Sequence, residues 1–146
     1  MSKTMTFEDI EIGQKIPSVS IHVTAEKIWK FADATRDYNP LHINPEWIRE
    51  YQFGKTRLAN IIGHGLFTYT LMTHAMTQWV WPLGGLHHRM EARFNSPVYP
   101  GDTIRTEATV TEKKVVGRMK YVVVEVVVKN QTDNIVAEGK AMVSLP

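Results

Sequence analysis

The sequence predicts an α+β fold in which an antiparallel sheet packs around one buried helix. Three observations lead to this prediction. One alternating strand and several helical segments occupy the first half of the chain, and four segments with a period of two follow Gly85. Between them, residues 58–88 carry no charged side chain, which is typical of a helix enclosed by protein. A sheet with one apolar face requires a covering layer of this kind.

The first strand and the first helix are predicted from their periodicities. In residues 18–24 apolar and other side chains alternate, which places three apolar side chains on one face, namely Val19, Ile21 and Val23. Thr24 is suited to cap the helix that follows, and Glu26 adds a favourable negative charge to its first turn. The buried stripe of this helix follows the spacing i, i+3, i+4, i+7 and consists of Ile28, Phe31, Ala32 and Thr35.

Prolines divide the middle of the chain into short segments. Asn39-Pro40 ends any helical continuation, because the residue before a proline is pushed toward extended geometry. Pro45 is predicted to start a short helix, since its fixed φ suits the first helical position. The long uncharged helix is predicted over residues 65–80 and ends before Pro82.

Four strands are predicted in the second half of the chain, over residues 86–95, 103–111, 121–128 and 135–145. The third of them is apolar on both faces apart from Glu125, so we expect it to lie at the centre of the sheet or to be covered on both sides. Residues 99–102 predict a type II turn, with Pro100 at position i+1 and Gly101 at position i+2. Residues 132–134 are predicted to turn the last hairpin.

The composition is that of an ordinary globular protein. The chain has 146 residues, 43% of them hydrophobic and 22% charged, and we expect one domain over residues 1–146. The net charge of +2 is too small to indicate nucleic-acid binding, and the absence of cysteine excludes disulfides and thiolate chemistry. No signal peptide or membrane helix is expected, because the N-terminus lacks a long apolar core and the uncharged run is interrupted by glycine, proline and threonine. We therefore expect a cytoplasmic protein.

The residues that carry chemistry are concentrated in two places. A carboxylate, an amide and an imidazole stand close together at Asp37, Asn39 and His42. Further along, the long helix opens on Gly63-His64-Gly65. We interpret the first segment as a catalytic loop and the second as the N-terminus of a buried helix that faces this loop.

These segments resemble the MaoC-like dehydratase family, which includes R-specific enoyl-CoA hydratases. The family loop reads roughly Gly-Asp-x-Asn-Pro-x-His, and residues 37–42 read Asp-Tyr-Asn-Pro-Leu-His. The family helix opens with His-Gly, as at His64-Gly65, and the later family turn Pro-Val-x-Pro-Gly-Asp is matched by residues 97–102. One departure is Arg36, which stands where many members have glycine; a positive φ at this position would strain an arginine.

The resemblance implies a hot dog fold, in which a five-stranded antiparallel sheet curls around the central helix. It implies a homodimer, or a higher homo-oligomer, whose sheets join edge to edge. It also implies an enzyme that interconverts trans-2-enoyl thioesters and (R)-3-hydroxyacyl thioesters of coenzyme A or of an acyl carrier protein. Asp37 and His42 would form its catalytic dyad. We expect no metal or redox cofactor, and no spacing of His, Asp and Glu suggests a zinc site.

The side-chain chemistry is consistent with these roles. Ionised aspartate offers only acceptors and neutral histidine offers one donor and one acceptor, so Asp37 and His42 can orient one water and shuttle its proton. The free N–H of Gly65, at a helix N-terminus, can stabilise the oxyanion of the thioester. Further candidates for substrate contact are Asn39, His64, Trp47 and Phe53. Among these, Asn39 is also suited to shape the loop through bonds to the backbone.

Other interpretations of the same residues remain. Asp37 and His42 can form an Asx turn and a satisfied histidine, and Gly63 and Gly65 can belong to an ordinary turn. His74, in the middle of the helix, is expected to pack in the core. A hot dog thioesterase is a second candidate enzyme, although the long helix supplies no carboxylate for it. A non-catalytic acyl-thioester-binding partner subunit is a third candidate, but such a subunit has no use for both members of the dyad.

Overall fold

A computed structural model describes residues 5–51 and 57–146. The strands are β1 (Lys15–Ile16), β2 (Ser20–His22), β3 (Leu86–Phe94), β4 (Thr103–Val116), β5 (Met119–Lys129) and β6 (Ile135–Leu145). The helices are α1 (Ala25–Thr35), α2 (Pro40–Ile43), α3 (Pro45–Glu50) and α4 (Gly65–Val80), with a 3₁₀ turn at Trp81–Leu83. The predicted order, with helices before the four long strands, is confirmed.

All strand pairs are antiparallel, and the sheet has the order β1-β4-β5-β6-β3, with β2 also pairing with β4. The six strand segments therefore occupy five positions. The strand predicted over residues 18–24 is present as β2, but it is shorter than predicted, and β1 was not predicted. The two are separate segments along the same edge of β4. Pro17 has no N–H for the ladder, and at the break Ser18 Oγ donates to the Thr106 carbonyl (2.6 Å) while Val19 N–H donates to Thr106 Oγ1 (3.1 Å).

The core lies between the sheet and α4. Strand β5 is central, as predicted, and its inner face consists of four fully buried valines, namely Val122, Val124, Val126 and Val128. Fully burying one such side chain stabilises the fold by about 1.5–3 kcal/mol. The outer face of β5 is only half-buried at Val123 and Val127 and exposed at Glu125. The apolar outer positions of this strand are thus only partly covered within one chain.

Helix α4 has the predicted bounds, Gly65–Val80, and packs its buried side onto the sheet through Phe67, Met72, Met76 and Val80. The opposite side of the helix is uncharged but exposed, at Leu66, Thr70, His74 and Gln78. The expectation that His74 packs in the core is therefore wrong for the single chain. None of the helices in the described part of the chain combines the length and apolar composition that crossing a bilayer requires.

The predicted type II turn precedes β4 and helps to position the start of α4. Gly101 has φ +99°, which favours glycine, and Asp102 N–H donates to the Tyr99 carbonyl (3.0 Å). The carboxylate of Asp102 accepts from Tyr99 N–H (2.8 Å), which closes the turn from the other side. Next to it, the Val98 carbonyl accepts from Gly63 N–H (2.7 Å), so the turn is tied to the segment that enters α4.

Candidate active site

The predicted catalytic loop connects α1 with the short helix α2. Helix α1 ends at Thr35, and Arg36 adopts a left-handed conformation with φ +61° and ψ +23° that reverses the chain. Asn39 then caps α2, because its Oδ1 accepts from Leu41 N–H (3.1 Å). The sequence correctly predicted a helix end before Pro40, but it missed that Pro40 starts a new helical turn. This turn carries His42 into the interior.

His42 is 8% exposed and its ring is held by backbone atoms of the segment before α4. His42 Nδ1 lies 2.7 Å from the Ile62 carbonyl, and a carbonyl only accepts, so Nδ1 carries the proton. In return, Ile62 N–H donates to the Leu41 carbonyl (3.0 Å). Burial of the ring lowers the pKa of His42 below its usual value near 6.5, with a further lowering from His64. The ring is therefore neutral at pH 7, and Nε2 presents a lone pair.

Asp37 is exposed and approaches this imidazole. Its Oδ1 accepts from Asn39 N–H (3.3 Å), so the Asx turn of the simpler interpretation is present. Even so, one side-chain ligand atom each of Asp37, His42 and His64 lies within 4.8 Å of the others. Two groups at such a separation can share one water at about 2.8 Å from each. The two predicted members of the dyad thus converge, and the Asx turn does not prevent it.

The third member of this cluster, His64, is 2% exposed and turns toward the loop. Its Nε2 lies 3.0 Å from the Asp37 carbonyl, and its ring stacks on His42 with centroids 3.8 Å apart. Two imidazoles and a carboxylate are suitable metal ligands, but stacked rings direct their lone pairs along nearly parallel planes and not at one point. This geometry is a poor fit for a shared ion and a good fit for a carboxylate and one imidazole around a water.

Gly65, the predicted oxyanion donor, is the first residue of α4. Within the described residues, no acceptor lies in hydrogen-bond range of the Gly65 N–H, whereas Phe67 N–H already donates to the His64 carbonyl (3.0 Å). A Cβ at Gly65 would lie 2.8–3.0 Å from three ring carbons of Phe94. A Cβ at Gly63 would meet Val98 at 3.7–4.0 Å, which is ordinary contact. Of the two glycines, only Gly65 lies so close to a neighbour that a side chain there would force the Phe94 ring to move.

A cavity of about 300 Å³ opens in front of this helix start. Residues that line it include His42, Gly65, Thr68, Phe94, Val98 and Val136. The mixture of apolar walls with a few polar groups suits an acyl chain attached to a thioester. Thr68, Phe94 and Val136 were not predicted as site residues, although Phe94 ends β3 just before the motif at residues 97–102.

The remaining predicted contacts lie elsewhere. Trp47 is half-buried on α3 and stacks on Tyr51 with ring centroids 4.1 Å apart, and it does not line the described part of the cavity. The Asn39 side chain serves as the cap of α2. Phe53 lies outside the described residues. Roles for these three residues in substrate binding stay predictions.

The left-handed Arg36 leads to a prediction about stability. An L-residue in this region costs about 1–2 kcal/mol, which glycine avoids, while glycine in exchange makes the unfolded chain more flexible by about 0.4–1 kcal/mol. We therefore expect Arg36→Gly to stabilise the protein by roughly 0.5–1 kcal/mol, measured by urea unfolding. Arg36→Ala is the control, because it removes the guanidinium and keeps the strain. Equal stabilisation by alanine would show that charge, and not backbone geometry, is responsible.

Comparison with known proteins defines the class to which this fold and site belong. The solved (R)-hydratase from Aeromonas caviae, described as involved in PHA biosynthesis, superimposes with a TM-score of 0.80 over 95% of this chain and 99% of that chain, at 25% identity. The chain thus has the hot dog fold, an antiparallel sheet wrapped around a central helix.

The family follows from the sequence match. The model of the MaoC like domain matches residues 8–132, and the chain belongs to the MaoC-like family. A Rhodospirillum rubrum protein named (R)-specific enoyl-CoA hydratase is 30% identical over 96% of this chain and 91% of its own length. A Methylorubrum extorquens protein named 3-hydroxybutyryl-CoA dehydratase is 26% identical over 99% of this chain and 86% of its own length. These relatives support hydratase or dehydratase chemistry at the level of the family.

Proposed function

We propose that this protein is a hydratase/dehydratase that interconverts trans-2-enoyl thioesters and (R)-3-hydroxyacyl thioesters of coenzyme A or an acyl carrier protein. The observation that carries the proposal is the convergence of Asp37 and His42, with side-chain atoms within 4.8 Å, together with the cavity that His42 shares with Gly65, whose N–H makes no hydrogen bond within the described residues. The test is hydration of crotonyl-CoA by the purified protein, followed as loss of enone absorbance. No turnover of any 2-enoyl thioester in a panel of chain lengths would refute the proposal.

In the hydration direction, the Asp37 carboxylate and His42 Nε2 each accept a hydrogen bond from one water. The water oxygen forms a bond to Cβ while one of the two groups takes its proton, and the π electrons of the double bond move toward the thioester oxygen. The protonated dyad then returns a proton to Cα, which restores the thioester carbonyl. One water is added overall and the total oxidation level of the substrate is unchanged, so the step needs no redox cofactor.

The negative charge on the thioester oxygen is stabilised by the N-terminus of α4. The Gly65 N–H is a donor already in place, and the helix dipole favours negative charge there. The half-exposed Phe94 ring covers Gly65 and forms part of the cavity wall. Gly65 thus supplies the stabilising N–H and also lines the acyl cavity.

Substitution of Gly65 tests this donor. We expect Gly65→Val to lower kcat by about 10²–10³-fold, the usual effect of losing an oxyanion contact, because the new side chain displaces the Phe94 ring and blocks close approach to the N–H. The variant should still fold, since a half-exposed ring can move. Gly63→Ala is the control for replacing a glycine near the helix start, and it should lower kcat far less than Gly65→Val. An unchanged kcat in Gly65→Val would place the oxyanion donor elsewhere.

The thioesterase alternative has less support. A thioesterase requires a carboxylate directed at the thioester carbonyl, but α4 contains no acidic residue. Hydrolysis would release free coenzyme A, whereas hydration removes the enone and leaves the thioester intact. A thiol assay run beside the absorbance assay therefore separates the two activities.

We further propose that two copies associate through β3. This strand lies at the edge of the sheet, and among the described strands it pairs only with β6. An unpaired edge is a template for a second strand. The exposed side of α4, with Leu66, and the exposed Trp81 and Leu86 add apolar surface near this edge. A second copy would cover these side chains and extend the sheet.

Sedimentation equilibrium tests this association, with an expected particle of about twice the 16.7 kDa chain mass. We expect Leu86→Glu to weaken the dimer, because it places a charge on the proposed interface. Ile12→Glu is a matched control, since Ile12 is 67% exposed and Leu86 64%, but Ile12 lies next to β1 at the opposite edge. A monomeric wild-type protein would contradict the assignment.

A further inference from the structure

We propose that His64 is a positioning residue, which holds the Asp37 backbone and the His42 ring in fixed relation to the start of α4. The inference deepens the proposed hydratase function and rests on it for its kinetic consequence. It assigns His64 a role in fixing the dyad and not in binding the substrate.

The contacts of His64 connect three parts of the site. Its Nε2–H donates to the Asp37 carbonyl (3.0 Å), and its ring stacks on the His42 ring at 3.8 Å with an angle of 26° between the planes. The Phe31 ring packs against it as well, with centroids 5.0 Å apart. His64 is also the residue directly before Gly65, at the N-cap position of α4. A shift of its ring therefore moves the dyad relative to the oxyanion donor.

Packing alone does not explain why this residue is a histidine. Because Nε2 faces a carbonyl, it carries the proton, and Nδ1 is an unprotonated acceptor. This buried Nδ1 has no hydrogen-bond partner among the described residues, which costs folding free energy. A phenylalanine would stack on the same rings without that cost. What the imidazole adds is the single N–H directed at the Asp37 carbonyl.

Capping of α4 does not explain the histidine either. An N-cap side chain ordinarily accepts a hydrogen bond from a backbone N–H of the first helical turn, but His64 makes no such bond. Its polar atoms thus do not serve the helix that it precedes. The bond to Asp37 is the only side-chain hydrogen bond of His64 within the described residues.

Two substitutions separate the functions of the ring. His64→Phe keeps an aromatic ring against His42 and removes the donor to Asp37, whereas His64→Gln keeps an N–H donor and removes the stack. We expect His64→Phe to lower kcat by about 10²-fold, since small misplacements of reacting groups cost this much, with KM changed by less than about threefold. We expect His64→Gln to recover part of the loss. Phe31→Leu is the packing control, because it alters the other contact of the ring and should retain most of the activity.

A second readout is independent of catalysis. In His64→Phe the loop should lose its hydrogen bond from residue 64 to the Asp37 carbonyl. The probe is the Asn39 N–H, which donates to Asp37 Oδ1. Its amide hydrogen exchange should become about tenfold faster, while the melting temperature changes little. Wild-type kcat together with wild-type exchange in His64→Phe would overturn the inference. If the wild-type protein hydrates no enoyl thioester, the proposed function fails, and the inference about loop position is still decided by the exchange rates.

Discussion

Asp37→Asn is expected to lower kcat for crotonyl-CoA hydration by about 10²–10⁴-fold, the usual contribution of an acid–base group. Asparagine has nearly the same shape, and its carbonyl oxygen can still accept from Asn39 N–H, as Asp37 Oδ1 does at 3.3 Å. What is lost is the negative charge and the second acceptor oxygen. A lower rate in this variant therefore measures the contribution of the carboxylate to activating the water, because the shape of the loop is kept.

The assay is the initial rate of enone loss at saturating substrate, with circular dichroism to confirm the fold. Tyr38→Phe is a matched control in the same loop, because it removes the bond from the Tyr38 hydroxyl to Asp33 Oδ1 (2.6 Å) and leaves Asp37 unchanged. We expect this control to keep its activity within about threefold. A fully active Asp37→Asn enzyme would remove Asp37 from the dyad.

His42→Ala is expected to cost a similar factor, about 10²–10⁴-fold in kcat, because it removes the Nε2 lone pair that we propose binds the water. Alanine also leaves the Ile62 carbonyl without its partner, so a second variant is needed. In His42→Asn the amide nitrogen occupies the place of Nδ1 and can still donate to this carbonyl, while nothing replaces Nε2. An equal loss of activity in both variants would assign the effect to Nε2.

The pH dependence provides a further check on His42. Burial and His64 lower its pKa, so the neutral, water-binding form persists to more acidic pH than for a free imidazole. If His42 is the base, kcat/KM falls only below pH 6.5, as the ring takes up a proton. This acid limb should be absent from the residual activity of His42→Asn and retained in a control variant of the exposed His22. An acid limb that persists in His42→Asn would show that His42 is not its source.

Much of the fold follows from local patterns in the sequence. The long helix was predicted at residues 65–80, as observed, because the segment carries no charged side chain and Pro82, Gly84 and Gly85 end it. The last strand was predicted at residues 135–145, as observed, because a period of two persists over its eleven residues. The turn at Gly101 was predicted for a similar reason, since only the local φ decides it. The first strand was predicted less well: it is confined to Ser20–His22, because before it Ser18 and Val19 bond the carbonyl and the side chain of Thr106, which belongs to a distant strand.

The site likewise divides into residues that local motifs predicted and contacts that they did not. The motif order identified Asp37, His42 and Gly65, and the structure brings them together. The orientation of His64 toward Asp37 was not predicted, nor was the packing of Phe94 on Gly65.

The sequence by itself determined the long helix, the four long strands, the candidate dyad and the glycine at the helix start, because each is encoded in residues that are close together along the chain. Only the tertiary structure decided which nitrogen of His42 is free, which glycine lies against the Phe94 ring, and which ring bonds the Asp37 carbonyl. Those properties depend on contacts between segments that are far apart in the chain, and only packing in three dimensions brings such segments together.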